Sequence, residues 1–215
     1  KVTKIQLWGG GGGGGNAPFQ AYGPSVGSGG GGGAYCEYTT VVNSSSTEIS
    51  YSVGAGGNAE TRGGNSTISF NGVVSLTAGG GDPGSSVKGR NQTVNGGSGG
   101  SPVNGNANSK RGDNGGNGTT GSATIAPSIV SGNGGRSYGG DDTHSCAGGA
   151  SISDATGNND GKNGEPYGGG GGGATNQAIS GTTGGRGAGG AVWITYVTLN
   201  TGSITSGSQV ICLGS

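Results

Sequence analysis

Residues 2–15 read VTKIQLW followed by seven glycines, Gly9 to Gly15. The first seven residues are rich in β-branched and aromatic side chains and are bounded by glycine, which predicts a β-strand that runs directly into the glycines. Similar runs recur at 29–33 and 168–173, and the chain contains 60 glycines in 215 residues. Glycine loses more backbone freedom on ordering than any other residue, so these runs either stay disordered or occupy places where side chains would not fit.

The charge balance of the chain argues against disorder and excludes several functions. Only 9% of the residues are charged, and ten acids balance ten bases, whereas disordered chains usually carry many charges. A neutral chain lacks the clustered cations that nucleic acids require, and no run of about 18 apolar residues could cross a membrane. We therefore predict a folded protein without a nucleic-acid partner or membrane insertion. Since the chain starts at Lys1 and has no methionine, we expect that an N-terminal segment was removed.

Strand patterns near the two ends of residues 1–197 predict a small β base. Residues 2–8 and 191–197 are rich in β-branched and aromatic residues, and we expect them to pair or to lie side by side. Residues 67–78 contain an Asn-Gly pair between two strand-like runs, which predicts a hairpin with a type I′ turn.

Two further segments complete this picture of the β-structure. Residues 34–42 and 48–53 also read as strands, and Ile49, Tyr51 and Val53 share one face of the second. No helical period is present anywhere in the chain. Residues 198–215 form a separate tail with one strand-like piece at 209–213, a candidate for assembly by pairing with an exposed sheet edge of a neighbour.

Glycine runs can themselves form a core when they adopt extended threefold helices of the polyproline II type. Such a helix makes no internal hydrogen bonds, so neighbouring helices can satisfy its outward N–H and C=O groups. Unbroken runs should then be interior, whereas 184–190, which Arg186 and Ala188 interrupt, should lie outside. The predicted fold is therefore mainly irregular and β, without α-helix: a sandwich of stacked polyglycine II helices on a small antiparallel base.

The order of the glycine-flanked pieces resembles the glycine-rich domain of phage tail-fibre adhesins. The resemblance covers about residues 1–197 and is carried by five pieces: Ile5–Gly9, Gly31–Tyr35, Ser52–Gly57, Ala78–Gly81 and Gly189–Tyr196. It implies a polyglycine II sandwich at the tip of a fibre, whose variable loops bind a bacterial cell-surface receptor. The extracellular glycine-rich region of some animal receptor kinases is similar in layout, so the architecture does not determine the function.

Aromatic residues in the loops are the candidate receptor contacts, because aromatic rings supply rigid contact area for proteins or glycans. Packing against the flank of the bundle is the alternative role for these rings. The five candidate residues are Phe19, Tyr22, Tyr138, His144 and Tyr167.

Little in the sequence supports catalysis, a cofactor or a metal. The only histidine, His144, lies in the polar segment 141–146 beside two aspartates and Cys146, without the ligand spacing of a zinc site. We predict no enzyme activity, no cofactor and no metal site. The tripeptide at 111–113, Arg-Gly-Asp, matches an integrin-binding motif, and in so glycine-rich a chain we interpret it as a chance match.

Cysteine and asparagine patterns leave two questions open. Cys36, Cys146 and Cys212 allow one disulfide and one free thiol, in any pairing. The pattern Asn-x-Ser/Thr, which would be an acceptor only in a eukaryotic secretory pathway, begins at four residues: Asn43, Asn65, Asn91 and Asn117.

The leading hypothesis is a non-enzymatic adhesion module on an extracellular or virion surface, whose partner is a receptor protein or glycan and which attaches to a fibre protein or to identical subunits. The alternative is an exported subunit that assembles into an extracellular filament. Ice binding, as in springtail antifreeze proteins that also stack polyglycine II helices, fits less well because of the long polar loops.

Overall fold

The structure is a computed structural model, and it describes residues 2–21, 23–42, 48–70, 74–122, 128–138, 146–154, 157–177, 180–200 and 203–212. Within these residues the chain forms β-strands and no helix, as the absence of a helical period predicts. In chain order the strands are β1 (Val2–Trp8), β2 (Ser25–Gly27), β3 (Tyr35–Val42), β4 (Ile49–Ser52), β5 (Ser66–Phe70), β6 (Val74–Ala78), β7 (Ser86–Lys88), β8 (Thr93–Val94), β9 (Pro102–Val103), β10 (Ala107–Lys110), β11 (Gly118–Thr120), β12 (Ile129–Val130), β13 (Ser153–Asp154), β14 (Thr175–Asn176), β15 (Ala191–Asn200) and β16 (Ser203–Cys212).

The first strand lies in the middle of a five-stranded sheet with the order β10-β3-β1-β15-β16. β1 is antiparallel to β15, with Trp8 opposite Ala191 and Val2 opposite Tyr196. The predicted pairing of the two ends of the domain is therefore confirmed. β3 pairs with the other side of β1, so that the strand leading into the first glycine run has a neighbour on each side.

A second sheet, with the order β4-β5-β6-β9, packs against the first. β5 and β6 form the predicted antiparallel pair. Their register places Phe70 opposite Val74. The predicted type I′ turn falls on residues 71–73, which lie outside the described part of the chain.

The core between the two sheets follows the alternation of a β-strand. Ile5 and Leu7 of β1 are fully buried against Ile68 and Leu76 of the second sheet. Trp8 points to the opposite face of the five-stranded sheet and belongs to a separate aromatic cluster. β1 is thus covered on both faces, which explains why its first three residues are half-buried and the remaining four buried.

The tail pairs with its own chain. β16 is antiparallel to β15 along its whole length, from Ala191 opposite Cys212 to Asn200 opposite Ser203. The strand starts six residues before the predicted piece at 209–213, in a Ser-, Thr- and Gly-rich stretch that carries a weak strand signal. The edge of β15 is therefore occupied by β16 within the chain, and β16 becomes the edge strand of the sheet. Assembly of the tail with a neighbour stays a prediction.

Between the sheets and the far end of the molecule, glycine-rich segments run alternately away from the five-stranded sheet and back to it. The directions follow from the backbone hydrogen bonds between segments. The segments that run away from the sheet are 9–15, 54–58, 79–85, 112–116, 146–150 and 168–174, and those that return are 28–34, 61–64, 97–101, 132–137, 161–165 and 184–190.

The hydrogen bonds of segment 9–15 repeat with a period of three residues. Gly9, Gly12 and Gly15 donate to the same returning segment, 28–34, over 2.8 to 2.9 Å. The other residues of 9–15 form backbone hydrogen bonds with other segments, again at intervals of three residues. In all, the N–H groups of 9–15 reach the antiparallel segments 28–34, 61–64 and 185–188, and its C=O groups accept from the parallel segments 57–60, 81–84 and 171–174.

Burial confirms the predicted order of inner and outer segments. Every residue of 9–15, 29–33 and 168–173 is buried, whereas 184–190 exposes Arg186 and only partly buries the three residues after it. A Cβ atom added to Gly12 would lie 2.1 Å from the carbonyl oxygen of Asp82. Glycine is therefore required inside the bundle because neighbouring backbones occupy the space of a side chain.

Asparagine side chains satisfy backbone donors at the borders of the bundle. Asn65 accepts from the N–H of Gly80, Asn114 from Gly99 and Asn117 from Gly96, over 3.0 to 3.2 Å. Where a segment lacks a glycine neighbour on one side, the side-chain oxygen replaces the missing carbonyl. Two of the Asn-x-Ser/Thr patterns, those at Asn65 and Asn117, thus have a structural role for their asparagine.

Glu37 is a buried carboxylate on the aromatic face of the five-stranded sheet, with a side chain only 3% exposed. Lys4 Nζ lies 3.1 Å from its Oε2, and Asn108 Nδ2 donates to its Oε1 over 3.2 Å. The hydroxyl of Tyr35 donates to the same carboxylate. Burial alone raises the pKa of Glu37, but the hydrogen bonds from Tyr35 and Lys4 outweigh it, so the pKa lies below its ordinary value.

This lowered pKa predicts a loss of stability in acid. The unfolded chain holds Glu37 at a pKa of about 4.3, so the stabilisation is complete above that pH and is lost as the pH falls through the folded pKa. When the pH is lowered from about 6 to about 3, the urea concentration at the unfolding midpoint should decrease in both proteins. We expect a smaller decrease in Glu37→Gln than in the wild type. Equal decreases in both proteins would show that other groups cause the acid sensitivity.

Cys36 and Cys146 lie on opposite faces of the five-stranded sheet and are not joined to each other. Cys36 lies in the core between the sheets, and burial raises its pKa. Cys146 lies in the aromatic cluster beside Trp8. A disulfide between these two is therefore absent, while the side chain of Cys212 lies outside the described part of the structure.

Candidate functional site

The connections between glycine segments form two separate surfaces. We call the end of the bundle opposite the five-stranded sheet the tip face. Two small sheets lie there, with the orders β14-β2-β7 and β13-β12-β11-β8. The tip face consists of the described residues of six connections: 16–27, 59–60, 86–96, 117–131, 151–160 and 175–183.

Phe19 is an exposed aromatic side chain of the first tip connection, with 51% of its surface accessible. The two residues before it are fixed. Ala17 exchanges two backbone hydrogen bonds of 3.0 Å with Thr182, and the carbonyl of Pro18 accepts from the Ser25 hydroxyl over 2.6 Å. An apolar ring is therefore held in solvent on an anchored loop, which favours binding because little conformational freedom remains to be lost.

Of the other candidates, Tyr138 and Tyr167 lie within the described residues, and neither lies beside Phe19. Tyr22, from the same connection, and His144 lie outside the described residues. Tyr138 is 38% exposed, but it follows a returning segment and so lies at the opposite end of the bundle, beside the five-stranded sheet. Its backbone carbonyl accepts a hydrogen bond from Trp8 Nε1, and Lys110 Nζ lies 4.3 Å from the centre of its ring.

Tyr167 has mainly a packing role. Its ring is partly buried, 5.6 Å from Trp8 and 5.9 Å from Trp193 between ring centres. The residue has a φ of 68°, a left-handed conformation that costs energy for a bulky side chain and persists where the surroundings impose it. The alternative in which these rings pack against the bundle thus applies to Tyr167, which connects two glycine segments next to the five-stranded sheet.

The tripeptide Arg111-Gly112-Asp113 is part of a glycine segment and not of a protruding loop. Gly112 is buried and donates to the carbonyl of Gly100 over 3.1 Å. The guanidinium Nε of Arg111 donates to the carbonyl of Gly99 over 3.1 Å. Backbone packing therefore requires the glycine of this tripeptide.

The described residues contain neither a cluster suited to a metal ion nor a helix suited to a membrane. No group of three or more His, Cys, Asp and Glu side chains is placed to hold a metal ion there. Nor does the same part of the chain contain a helix that is long and apolar enough to span a membrane.

A family comparison covers nearly the whole chain. The model of a family described as a glycine-rich domain matches residues 2–197. The chain belongs to this glycine-rich domain family. The match of the glycine-rich domain runs from the start of β1 into β15 and includes every glycine segment and both ends of the bundle. A search of curated proteins found no match.

Sequence reasoning missed most of the tip strands of the glycine-rich domain. The tip strands β7, β8 and β11 to β14 have only two or three residues each. An alternating pattern cannot be recognised in so few residues. The residues that could have indicated them are Ile129 and Val130, an apolar pair between polar stretches. Ile129 is fully buried, so the pair anchors the tip sheet that it belongs to.

Proposed function

We propose that the glycine-rich domain is a non-enzymatic recognition module of the adhesin type, which binds a receptor on a cell surface through its tip face. The observation that carries this proposal is the half-exposed ring of Phe19 on a loop held by backbone and side-chain hydrogen bonds. Exposed aromatic residues on rigid supports are typical of binding surfaces. The placement on an extracellular or virion surface belongs to the same proposal.

The direction of the chain supports the choice of the tip face. β1 enters the bundle, and β15 leaves it, at the end that carries the five-stranded sheet. Any fibre protein or further domain joined through these strands would therefore lie at that end and leave the tip face accessible. The resemblance to tail-fibre adhesins, whose loops bind bacterial receptors, agrees with this orientation.

We further infer that the glycine segments are polyglycine II helices. A threefold helix directs its backbone groups outward every third residue. The period of three in the hydrogen bonds of segment 9–15, with three antiparallel and three parallel neighbours, agrees with this geometry. Such helices would give the tip connections a rigid support, and substitution of Gly12 by alanine tests the close packing that they require.

Phe19→Ala is expected to reduce binding to receptor-bearing cells by about tenfold, since removal of an anchoring aromatic residue often costs more than 1 kcal/mol of binding energy. Fluorescently labelled protein would be incubated with a panel of intact Gram-negative bacteria, and bound protein would be counted by flow cytometry. The matched control is Tyr51→Ala. Tyr51 is 49% exposed, nearly the same as Phe19, but lies in β4 at the other end of the bundle.

Two results would contradict the proposal. One is equal loss of binding in Phe19→Ala and Tyr51→Ala, which would point to general surface hydrophobicity. The other is unchanged binding in Phe19→Ala when thermal unfolding shows that both variants are folded.

A further inference from the structure

A surface cleft lies where the glycine bundle meets β10, at the opposite end from the tip face. Its volume is about 510 Å³, enough for a monosaccharide or disaccharide. The described residues that line it are Lys110, Arg111, Gly112, Asp113, Asn114 and Tyr138. The cleft thus combines two cations, one carboxylate, one amide and one aromatic ring.

The backbone beneath these side chains is fixed. Asp113 donates its N–H to the carbonyl of Arg136 over 2.8 Å, and a Cβ atom on Gly112 would lie 2.1 Å from the carbonyl oxygen of Gly32. On the other side of the cleft, the indole of Trp8 holds the carbonyl of Tyr138. The polar groups are therefore presented by rigid segments and would lose little freedom on binding.

The binding capacity of the side chains is largely unused. Within the described residues, Arg111 uses only its Nε, in the bond to Gly99, so its two terminal nitrogens remain as a fork of donors. The ammonium of Lys110 contacts the Tyr138 ring but is paired with no carboxylate in that part of the chain. Asn114 uses its oxygen for the N–H of Gly99, which leaves its amide nitrogen as a donor.

We propose that this cleft binds a saccharide that carries a carboxylate. The fork of Arg111 and the ammonium of Lys110 would bind the carboxylate, for which planar guanidinium groups are well suited. The ring of Tyr138 would cover an apolar face of the sugar. Asp113 and Asn114 supply an acceptor and a donor for hydroxyl groups.

Other ligands suit the cleft less well. A polyanion such as nucleic acid would meet the carboxylate of Asp113 and a chain with no net charge. A protein that binds Arg-Gly-Asp would need access to both sides of the tripeptide, but Gly112 is buried between segments. A small acidic sugar needs only the open side of the cleft.

The site is tested by calorimetric titration of the whole chain with 3′-sialyllactose and with lactose, its neutral counterpart. A tetrasaccharide of alternating glucuronate and N-acetylglucosamine, compared with neutral chitotetraose, extends the test to a second acidic source. We expect at least one acidic probe to bind at least about tenfold more tightly than its neutral partner, as expected for a charge-assisted hydrogen bond. We expect Arg111→Gln and Tyr138→Ala each to weaken that binding by about tenfold or more.

Arg186→Gln is the matched control. Arg186 also lies in a glycine segment, is exposed and donates its Nε to a protein oxygen, Asn58 Oδ1, over 2.9 Å. The substitution Arg186→Gln changes the net charge by the same amount as Arg111→Gln, but Arg186 is not among the residues that line the cleft. The site is supported if Arg186→Gln binds the acidic probe with wild-type affinity and Arg111→Gln binds it more weakly.

Several results would overturn it: no binding of either acidic probe at millimolar concentration, equal affinity for the acidic and neutral probes, or an equal loss in the two arginine variants. Binding of a purified integrin ectodomain that Asp113→Ala abolishes, without saccharide binding, would assign the cleft to a protein instead. None of these outcomes depends on the tip face. Phe19→Ala should leave saccharide binding unchanged, so failure of one proposal can be distinguished from failure of the other.

Discussion

Gly12→Ala is expected to lower the free energy of unfolding by about 4 kcal/mol or more, or to prevent folding, because a single methyl group has no space inside the bundle. The added Cβ would lie 2.1 Å from the carbonyl oxygen of Asp82 and 2.6 Å from its carbon. Both are backbone atoms, which cannot turn away as a side chain could. Gly12 also donates to Gly31 and accepts from Gly171, each over 2.9 Å, so any shift that relieves the clash lengthens hydrogen bonds to two other segments.

Urea unfolding followed by circular dichroism would measure this loss. The matched control is Gly181→Ala, the same chemical change at an exposed glycine in a tip connection. There the nearest atom to an added Cβ is the backbone nitrogen of Phe19 at 3.4 Å, an ordinary contact, and we expect a change within about 0.5 kcal/mol. Similar values for the two variants would show that segment 9–15 is not closely packed.

Trp8→Ala is expected to cost about 3 to 5 kcal/mol, the range for removing a large aromatic side chain from a core. Trp8, the last residue of β1, is 1% exposed and belongs to the aromatic cluster. Its ring centre lies 5.0 Å from that of Tyr35, 5.6 Å from Tyr167 and 5.5 Å from Trp193. Alanine would leave a cavity beside all three rings.

Trp8→Phe separates packing from hydrogen bonding. Phenylalanine fills most of the space but cannot donate to the carbonyl of Tyr138, so we expect an intermediate loss of about 1 to 2 kcal/mol. Tyr51→Ala, at an exposed aromatic residue of β4, controls for the loss of a ring at the surface. A loss below about 1 kcal/mol in Trp8→Ala would contradict a structural role for the cluster, because buried aromatic residues rarely cost so little.

The inner and outer glycine segments could be predicted from the sequence, because the requirement is encoded in composition. An unbroken run such as 9–15 has no side chain that needs solvent, whereas 184–190 contains Arg186, whose charge must remain at the surface. The partners of each segment could not be predicted in this way. Glycine faces are chemically identical, so no residue indicates that 9–15 bonds to 28–34 rather than to another segment.

The candidate contacts show the same limit. Phe19 and Tyr167 both lie beside glycine-rich stretches and look equivalent in the sequence. Phe19 is half exposed at the tip face. Tyr167 instead packs on Trp8 and Trp193, both of which are far from it along the chain. The number of segments that precede each residue decides the end of the bundle at which it lies, since every segment reverses the direction of the chain. The contacts with Trp8 and Trp193 then decide that Tyr167 is partly buried.

The sequence by itself determined that β1 and β15 are strands, that the chain has no helical pattern, and that the longest glycine runs are interior. Each of these depends on local preference or on side-chain size, which a residue carries with it. Only the tertiary structure decided which end of the bundle each loop occupies, how Arg111 meets Tyr138 in one cleft, and that β16 pairs with β15. These depend on hydrogen bonds between backbone groups distant along the chain, and backbone groups are the same in every residue except proline.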